Sequence, residues 1–403
     1  MIPYADFFYF GLLIYPTIVA IALGLTGRLS WRWVLAISVA VLAVQYSKLP
    51  LSAPQNAVGN IRTVAAYVIL QWGIAKGFLW LRRRRRDKAT FRAAIVAALL
   101  PLIVVKFLPL AWSASAIAFL GISYVTFRSL DVIICIQDRL ITSLPTGPYL
   151  AFLLFFPTIS AGPIDRYNRF VADFRRPRTR AEFLKDLDGA VHRLFRGFLY
   201  AFIIAPLVKE FWLDPASTGD GLRNIISYMY AYTFYLFFDF AGYSALAIAF
   251  SYLLGIHTPE NFNRPFLASN IVDFWNRWHI SLSTWFRDHI YMRFIMAAMR
   301  GGWFRSRAFA SSVAFYVSFG LMGLWHGTAP HYIIYGLYHA TLLSGATIIS
   351  GRRREQPVTR SWKIANTFVT FHLVSFGLLI FSGRLHWLAL ANRIRSLATS
   401  VPL

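Results

Sequence analysis

Charged residues and cysteine are both scarce in this sequence of 403 residues, and each shortage excludes a class of protein. Only 14% of the residues are charged and 57% are hydrophobic, whereas an ordinary soluble domain carries about 25% charged residues. The single cysteine, Cys135, excludes an internal disulfide and a multi-cysteine metal site. It lies in an apolar run, so we expect it only to pack. The composition therefore predicts a protein of the membrane.

Several catalytic motifs are missing as well. The sequence contains no G-x-S-x-G elbow, no Walker-type G-x-x-x-x-G-K-[ST], no H-E-x-x-H and no C-x-x-C. These absences disfavour a covalent serine intermediate, an ATPase and a zinc enzyme. No metal site is predicted.

Long apolar stretches recur along the whole chain. Stretches of about 18 or more apolar residues can cross a bilayer core as helices. The first one has no Lys or Arg before it, unlike a secretory signal, so we expect it to stay in the mature protein. We predict one all-α polytopic membrane domain, residues 1–403. The predicted spans lie near 5–25, 61–81, 93–112, 115–135, 194–213, 224–256, 308–325, 332–349 and 362–382, with a shorter apolar stretch at 33–47.

The net charge of +24 is concentrated in a few basic loops. These are Arg82 to Arg86, Arg166 to Arg180, Arg300 to Arg307 and Arg352 to Arg354. Basic loops face the cytoplasm, which places the N-terminus outside. The surplus charge also suits anionic lipid headgroups or an acidic protein partner at the inner face. Nucleic acid is not an expected partner, because the basic residues do not line one groove.

Two regions are neither good spans nor plain loops. Residues 144–200 begin with an apolar run that is interrupted by prolines, and we predict that 148–163 enters the membrane and returns. Residues 257–307 mix apolar and charged residues at helical spacing. This region fits an amphipathic helix at the interface or a re-entrant helix that lines a funnel. Both readings stay open.

His326 is the first candidate for chemistry, because of its setting in GLMGLWHG at 320–327. Gly323 and Gly327 would let neighbouring backbone approach, and Trp325 offers a flat wall. An imidazole that titrates near neutrality is a natural general base for a hydroxyl. The alternative is a histidine that is only hydrogen-bonded at a helix end. Alternating the spans places His326 toward the outer half of the membrane.

His279 is the second candidate, in NRWHISLSTWFRD. Asn276 and Ser283 stand three residues before it and four after it, so on one continuous helix all three would share a face. Asp273 and Arg277 are spaced for an ion pair. The same alternation places His279 on the inner side, so the two histidines would approach the bilayer interior from opposite directions.

Asp239 is a third ionisable group in an apolar setting, beside Tyr243 in FDFAGYSALAIAF at 238–250. It is expected either to anchor an intramembrane hydrogen-bond network or to contribute to the site, and the anchor is favoured. The residues alone leave two functions open: base-assisted group transfer inside the membrane, or transport.

Six strings taken together resemble the membrane-bound O-acyltransferase family over residues 118–345. In that family the acetyltransferases that act on alginate share the FW-x-RWHISLSTW core but continue differently after it. RDHIYMRFIMAAMR at 287–300 is more similar to the D-alanyl transfer (DltB) branch. The six strings are GISYVTFRSLD at 121–131, FFPTISAGPIDRYNRF at 155–170, FFDFAGYSALAIAFSYLLGI at 237–256, PENFNRPF at 259–266, NIVDFWNRWHISLSTWFRDHIYMRF at 270–294, and GLMGLWHG at 320–327 with YIIYGLYHA at 332–340.

The resemblance implies a ring of roughly 10–12 transmembrane helices, with re-entrant or interfacial helices around a thinned central funnel and tunnel, in the cell membrane. It implies that His326 and His279 are catalytic. No cofactor would be bound tightly, since the acyl group would arrive on the phosphopantetheine arm of a carrier protein. The residues expected to contact the arm or substrate are Asn276, Trp275, Trp278, Ser283, Trp325, Asp239 and Tyr243, and those expected at the carrier's docking surface are Ile290, Met292, Ile295, Met296 and Met299.

The branch also implies partners: an acidic D-alanyl carrier protein (DltC-like) at the cytoplasmic face, an extracytoplasmic accessory acyl-transfer protein (DltD-like) and membrane lipid. The acceptor would be a surface polymer such as teichoic acid or lipoteichoic acid. The 34 Arg against 7 Lys suggest a GC-rich genome, so another surface polymer stays open as the acceptor. The rivals are an O-acetyltransferase of an extracellular polysaccharide, a transporter or flippase and, last, a membrane scaffold.

Overall fold

The chain folds into helices throughout the part that the computed structural model describes, residues 3–4, 7–47, 60–84, 87–107, 118–160, 162–176, 178–219, 221–352 and 359–385. Four arginines of the predicted basic loops, Arg85, Arg86, Arg353 and Arg354, lie outside these ranges. The α-helices are α1 Phe7–Leu25, α2 Trp31–Gln45, α3 Ile61–Arg84, α4 Lys88–Phe107, α5 Ile122–Gln137, α6 Thr146–Leu153, α7 Tyr167–Arg175, α8 Arg180–Phe198, α9 Ala205–Val208, α10 Asp214–Ala216, α11 Leu222–Leu253, α12 Ile271–Trp275, α13 Ile280–Phe286, α14 Met292–Gly301, α15 Arg307–His326, α16 Pro330–Arg352 and α17 Arg360–Phe381.

Eight helices in the described ranges are long and apolar enough to cross a membrane. They are α1, α3, α4, the continuous helix Arg180–Ala216, α11, α15, α16 and α17. Two π-helical turns, Leu199–Ile204 and Lys209–Leu213, join α8, α9 and α10 into that continuous helix. The all-α polytopic fold predicted from the sequence is confirmed.

The predicted span at 115–135 is wrong in its bounds. Helix α5 begins only at Ile122 and has 16 residues, of which thirteen are buried within the chain. Its apolar run therefore serves the protein core. Apolar periodicity cannot separate a short buried helix from a lipid-facing one, because both are hydrophobic all round.

Contacts divide the chain into two compact units, Met1–Phe202 with Phe240–Asn261, and Ile203–Asp239 with Phe262–Leu403. The single membrane domain expected from the sequence stays a prediction.

In the first unit a buried arginine holds the broken segment that the prolines predict. Helix α6 has eight residues, about 12 Å at 1.5 Å per residue, so it is too short to cross a bilayer. Arg128 is 1% exposed, and its guanidinium donates to the backbone oxygens of Phe152, Leu153 and Thr158 at 2.8–2.9 Å. These carbonyls have no helical partner. One charged side chain therefore replaces the backbone hydrogen bonds that the break removes, as the predicted re-entry requires.

The same unit contains a network of ion pairs around His257. The imidazole lies 2.8 Å from Asp186, and the backbone N–H of His257 donates to Asp173 at 2.9 Å. Arg169 bridges Asp165 and Asp173. Hydrogen bonds to Asp173 and then to Asp186 raise the pKa of His257 to about 9. The basic 166–180 segment is therefore fixed to the end of α11 by paired charges.

In the second unit, α15 and α16 form a hairpin around the turn that contains Gly327. The 257–307 region does not contain one long amphipathic helix. Helix α12 ends at Trp275, and α13 starts at Ile280 after His279, whose φ of 42° is left-handed. The sequence pattern missed this break, because no proline or glycine marks it.

Candidate active site

His326 is the last residue of α15 and stands in a box of aromatic rings. Gly327 ends the helix, with its N–H bonded to the Gly323 oxygen. The centroid of the imidazole lies 4.6 Å from Trp325, 4.9 Å from Phe381 and 6.1 Å from Tyr332. The side chain is half-buried. It is held in position by flat apolar walls and remains reachable.

Close backbone contact between α15 and α16 fixes the position of His326 at the end of α15. A Cβ on Gly323 would meet the Tyr332 oxygen at 2.5 Å, and one on Gly336 would meet the Phe319 oxygen at 2.2 Å. A Cβ on Gly327 would meet the Tyr332 ring at 2.6 Å. Small residues let membrane helices approach this closely. The backbone approach predicted at Gly323 is confirmed, whereas Gly327 meets the side-chain ring of Tyr332 instead of backbone. Gly336 is a further residue of the backbone contact.

His279 is buried in the same unit, at 5% exposure. Burial, together with a smaller electrostatic effect of His326, lowers the pKa of His279 to about 3. The imidazole is therefore neutral at pH 7, with one ring N–H to donate. The two histidines interact electrostatically, and the predicted meeting of the two imidazoles across a passage stays a prediction.

The helical spacing that was expected to place His279 beside Asn276 and Ser283 is wrong, because the backbone breaks between α12 and α13. Asn276 and Ser283 nevertheless line one cavity. The predicted ion pair is confirmed, with Arg277 Nε 2.7 Å from an Asp273 oxygen.

This cavity, here called the arm cavity, lies wholly within the second unit and has a volume of about 220 Å³. Its walls are mostly apolar and aromatic. Its polar groups are one amide, a few hydroxyls and a single charged residue, Arg287. The lining residues are Val272, Trp275, Asn276, Ser283, Thr284, Phe286, Arg287, Tyr291, Phe315, Ser318, Phe319, Met322 and Leu343.

Trp275 forms a wall of the arm cavity and is held by a residue that sequence reasoning missed. Its ring packs at 4.8 Å from Phe319, and its indole N–H lies 3.4 Å from Nδ1 of His339. His339 is fully buried in α16. It occurs in the YIIYGLYHA string, but a lone histidine in an apolar helix carries no signal of what it contacts.

The other predicted contact residues fall into different places. Trp278 is buried among aromatic rings, 5.1 Å from Phe262 and 5.6 Å from Phe274, and it does not line the arm cavity. Tyr243 belongs to the first unit, where it bonds Ser160 at 2.9 Å and packs against Tyr4. Substrate contact by these residues and by Trp325 stays a prediction.

Asp239 anchors no hydrogen-bond network among the described residues. Its side chain is exposed, and no hydrogen bond or ion pair joins it to any described residue. An ionisable group at membrane depth usually faces a cavity or another polar group. The second reading from the sequence, a contribution to the site, stays a prediction.

Helix α14 presents an apolar stripe. Met292, Met296 and Met299 are 43%, 43% and 52% exposed, and their spacing places them on one face. Ile290 and Ile295 are half-buried. Trp303, just after the helix, is 56% exposed and extends the apolar surface.

Comparison with known proteins decides the family. A model of the membrane-bound O-acyltransferase family matches residues 94–383. The chain belongs to this family. It is an O-acyltransferase of the cell membrane with many spans.

Individual relatives from two branches of the membrane-bound O-acyltransferases differ in how much of their length matches this chain. The chain is 40% identical to the teichoic acid D-alanyltransferase of Bacillus subtilis strain 168, over 95% of this chain and 98% of the relative. It is 36% identical to that of Streptococcus thermophilus, over 95% of each. The probable alginate O-acetylase AlgI of Pseudomonas aeruginosa is 33% identical, over 65% of this chain and 48% of the relative.

Proposed function

We propose that this acyltransferase moves a D-alanyl group from the phosphopantetheine thioester of an acidic cytosolic carrier protein to a cell-surface acceptor such as teichoic acid. The observation that carries the proposal is the extent of the likeness. Relatives named teichoic acid D-alanyltransferase match nearly end to end, whereas the acetylases match about half of their own length.

The arm cavity suits a phosphopantetheine arm. The arm is a thin chain with two amides, a thiol end and a phosphate end. Aromatic and aliphatic walls favour its methylene groups, while Asn276, Thr284 and Ser318 offer groups that can pair with its amides. Arg287 is the charged residue of the lining and is half-exposed, so we assign it to the phosphate.

Transfer follows from the two histidines. His326 takes the proton of the acceptor hydroxyl as its oxygen attacks the thioester carbonyl. His279, which is neutral, donates its ring N–H to the oxyanion that forms. When this intermediate collapses, the new ester remains and the C–S bond breaks. The imidazolium of His326 returns its proton to the departing thiolate, and the arm leaves as a free thiol.

The docking surface for the carrier is proposed on α14. Its exposed methionines give an adaptable apolar patch. Arg300 and Arg305 lie beside it, and their charge would attract an acidic carrier and speed its encounter. Beyond the membrane, an accessory protein would take the acyl group onward.

Donor choice tests the proposal. The purified chain is reconstituted in vesicles and mixed with carrier protein that is loaded either with D-alanine or with acetate. Nothing else differs between the two reactions. We expect loss of the D-alanyl thioester that depends on the chain and on an added acceptor. Loss of the thioester from the acetyl carrier alone would establish an acetyltransferase. Movement of the acceptor across the vesicle membrane without any thioester loss would establish a transporter. Either result would overturn the proposal.

A further inference from the structure

A basic cavity in the first unit is lined by none of the residues assigned to acyl transfer. It has a volume of about 320 Å³ and is formed by the end of α3 and the turn after α5. Its lining combines three positively charged arginines with a few apolar residues. The lining residues are Leu79, Arg82, Arg83, Ile136, Arg139, Ile141 and Thr142. We call it the arginine cavity.

The positive charge of this cavity is not neutralised by the described part of the chain. Arg82 donates to the Gln137 oxygen at 3.4 Å, and Arg83 donates to the Thr142 oxygen at 2.9 Å. Both acceptors are backbone carbonyls. Within the described ranges none of the three arginines forms an ion pair with a carboxylate, and Nε of Arg82 is buried without a partner. Asp138 is a neighbour in sequence but does not line the cavity.

Arg139 occupies a backbone position that favours glycine. Its φ is 62°, and the turn closes with the Leu140 N–H bonded to the Cys135 oxygen at 2.9 Å, as in a Schellman ending. A residue with a Cβ is strained there. A left-handed arginine places a third cationic side chain on the cavity, which glycine would not do.

The arginine cavity lies at the depth of lipid headgroups. Helix α3 is a candidate span that ends in Arg82, Arg83 and Arg84, and such a basic end marks the cytoplasmic surface. Trp80 is 52% exposed, and the Arg84 guanidinium stands 4.0 Å from its ring. Exposed tryptophan is typical of the membrane interface. Ile69, on the same face of α3, is 63% exposed and suits acyl chains.

We propose that the arginine cavity binds the phosphate headgroup of an anionic phospholipid from the cytoplasmic leaflet. Arg83 and Arg139 hold the phosphate oxygens, since guanidinium groups match phosphate in pairs of hydrogen bonds. Leu79 and Ile141 contact the glycerol region. Basic cavities between membrane helices on this side are the recognised form of such sites. The proposal does not depend on the acyl-transfer reaction.

The test measures thermal unfolding of the full chain in neutral detergent micelles while phosphatidylglycerol is added. We expect stabilisation that saturates. The double variant Arg83→Gln/Arg139→Gln should need about 25-fold more phosphatidylglycerol for the same effect, since each arginine that holds the phosphate contributes a factor of about five. The matched control is Arg28→Gln/Arg32→Gln, which removes two exposed charges that line no phosphate cavity, one before α2 and one in its first turn. It should stay within about twofold of wild type.

A third variant separates a lipid site from a structural role. Arg139→Gly suits the left-handed backbone, so the fold is retained while the cation is lost. We expect this variant to lose most of the response to phosphatidylglycerol. Equal losses in the cavity pair and the control pair, or a full response in Arg139→Gly, would overturn the proposal. Equal stabilisation by phosphatidylcholine or by soluble glycerol phosphate would overturn the assignment to an anionic lipid.

Discussion

The contact between α15 and α16 can be tested by adding one methyl group. In Gly336→Ala the new Cβ would stand 2.2 Å from the Phe319 oxygen and 3.0 Å from the Phe319 carbonyl carbon. Ordinary contact begins at 3.4 Å, so the two backbones must separate by about 1.2 Å, the difference between these distances. His326 lies two turns beyond Phe319 on the same helix. The imidazole of His326, the proposed general base, would therefore move with it.

Two magnitudes follow from this displacement. Overpacking of a close contact costs about 1–3 kcal/mol, and a misplacement of about 1 Å at a catalytic group can lower the rate about 10²-fold. Thermal unfolding and the rate of thioester loss from a D-alanyl carrier would measure both. The two effects should be of similar size, because a 10²-fold loss of rate corresponds to about 2.7 kcal/mol.

The matched control is Gly345→Ala on the same helix. A Cβ there meets nothing within 4 Å, so the variant should keep its rate and gain up to about 1 kcal/mol from helix propensity. If Gly336→Ala behaved like Gly345→Ala in both measurements, the close approach of the helices would be refuted.

Three further predictions concern the arm, the carrier and the ion-pair network. Arg287→Gln should raise KM for the carrier about tenfold with little change in kcat, because it removes a charge-assisted hydrogen bond to the phosphate. D-alanyl phosphopantetheine without the carrier is the second substrate for the same measurement, and a fall in kcat alone would contradict the assignment. Met296→Asp should weaken carrier binding about tenfold by calorimetry while Met296→Leu does not, since a carboxylate repels an acidic partner; equal binding by both would exclude α14 as the docking surface. The pKa of His257 is raised from 6.5 to about 9, so its stabilisation is complete below pH 6.5 and is lost as the pH rises through 9. With 37% of the side chain exposed, we expect a loss of about 1 kcal/mol over that interval, seen as a falling Tm that His257→Gln flattens; an unchanged pH dependence in that variant would contradict the assignment.

The sequence predicted most of the helices that the structure contains, and it singled out two histidines whose catalytic role stays a prediction. Spans such as Ile61–Arg84 can be predicted from the sequence, because an α-helix that crosses a bilayer must be long and apolar. His326 was found because glycines and a tryptophan surround it. The prediction failed where tertiary contacts override local pattern, as at His279, whose left-handed backbone no proline or glycine foretells.

Other parts of the site could not be read from the chain. His339 contributes through its contact with Trp275, which is a property of the fold. Asp239 was expected to be an anchor because isolated carboxylates in apolar runs usually have partners, yet its side chain is exposed. Outside the site, Arg128 lies in GISYVTFRSLD at 121–131. Nothing in the neighbouring sequence shows that its guanidinium binds the free backbone oxygens at the end of α6.

The central claim is that His326 removes the acceptor's proton while His279 stabilises the oxyanion. The most direct measurement is single-turnover thioester loss from a D-alanyl carrier, in vesicles that contain wild type or His326→Gln at matched folding. The account predicts that His326→Gln binds the carrier normally and reacts about 10²- to 10⁴-fold more slowly. A folded His326→Gln variant that discharges the thioester at the wild-type rate would contradict it.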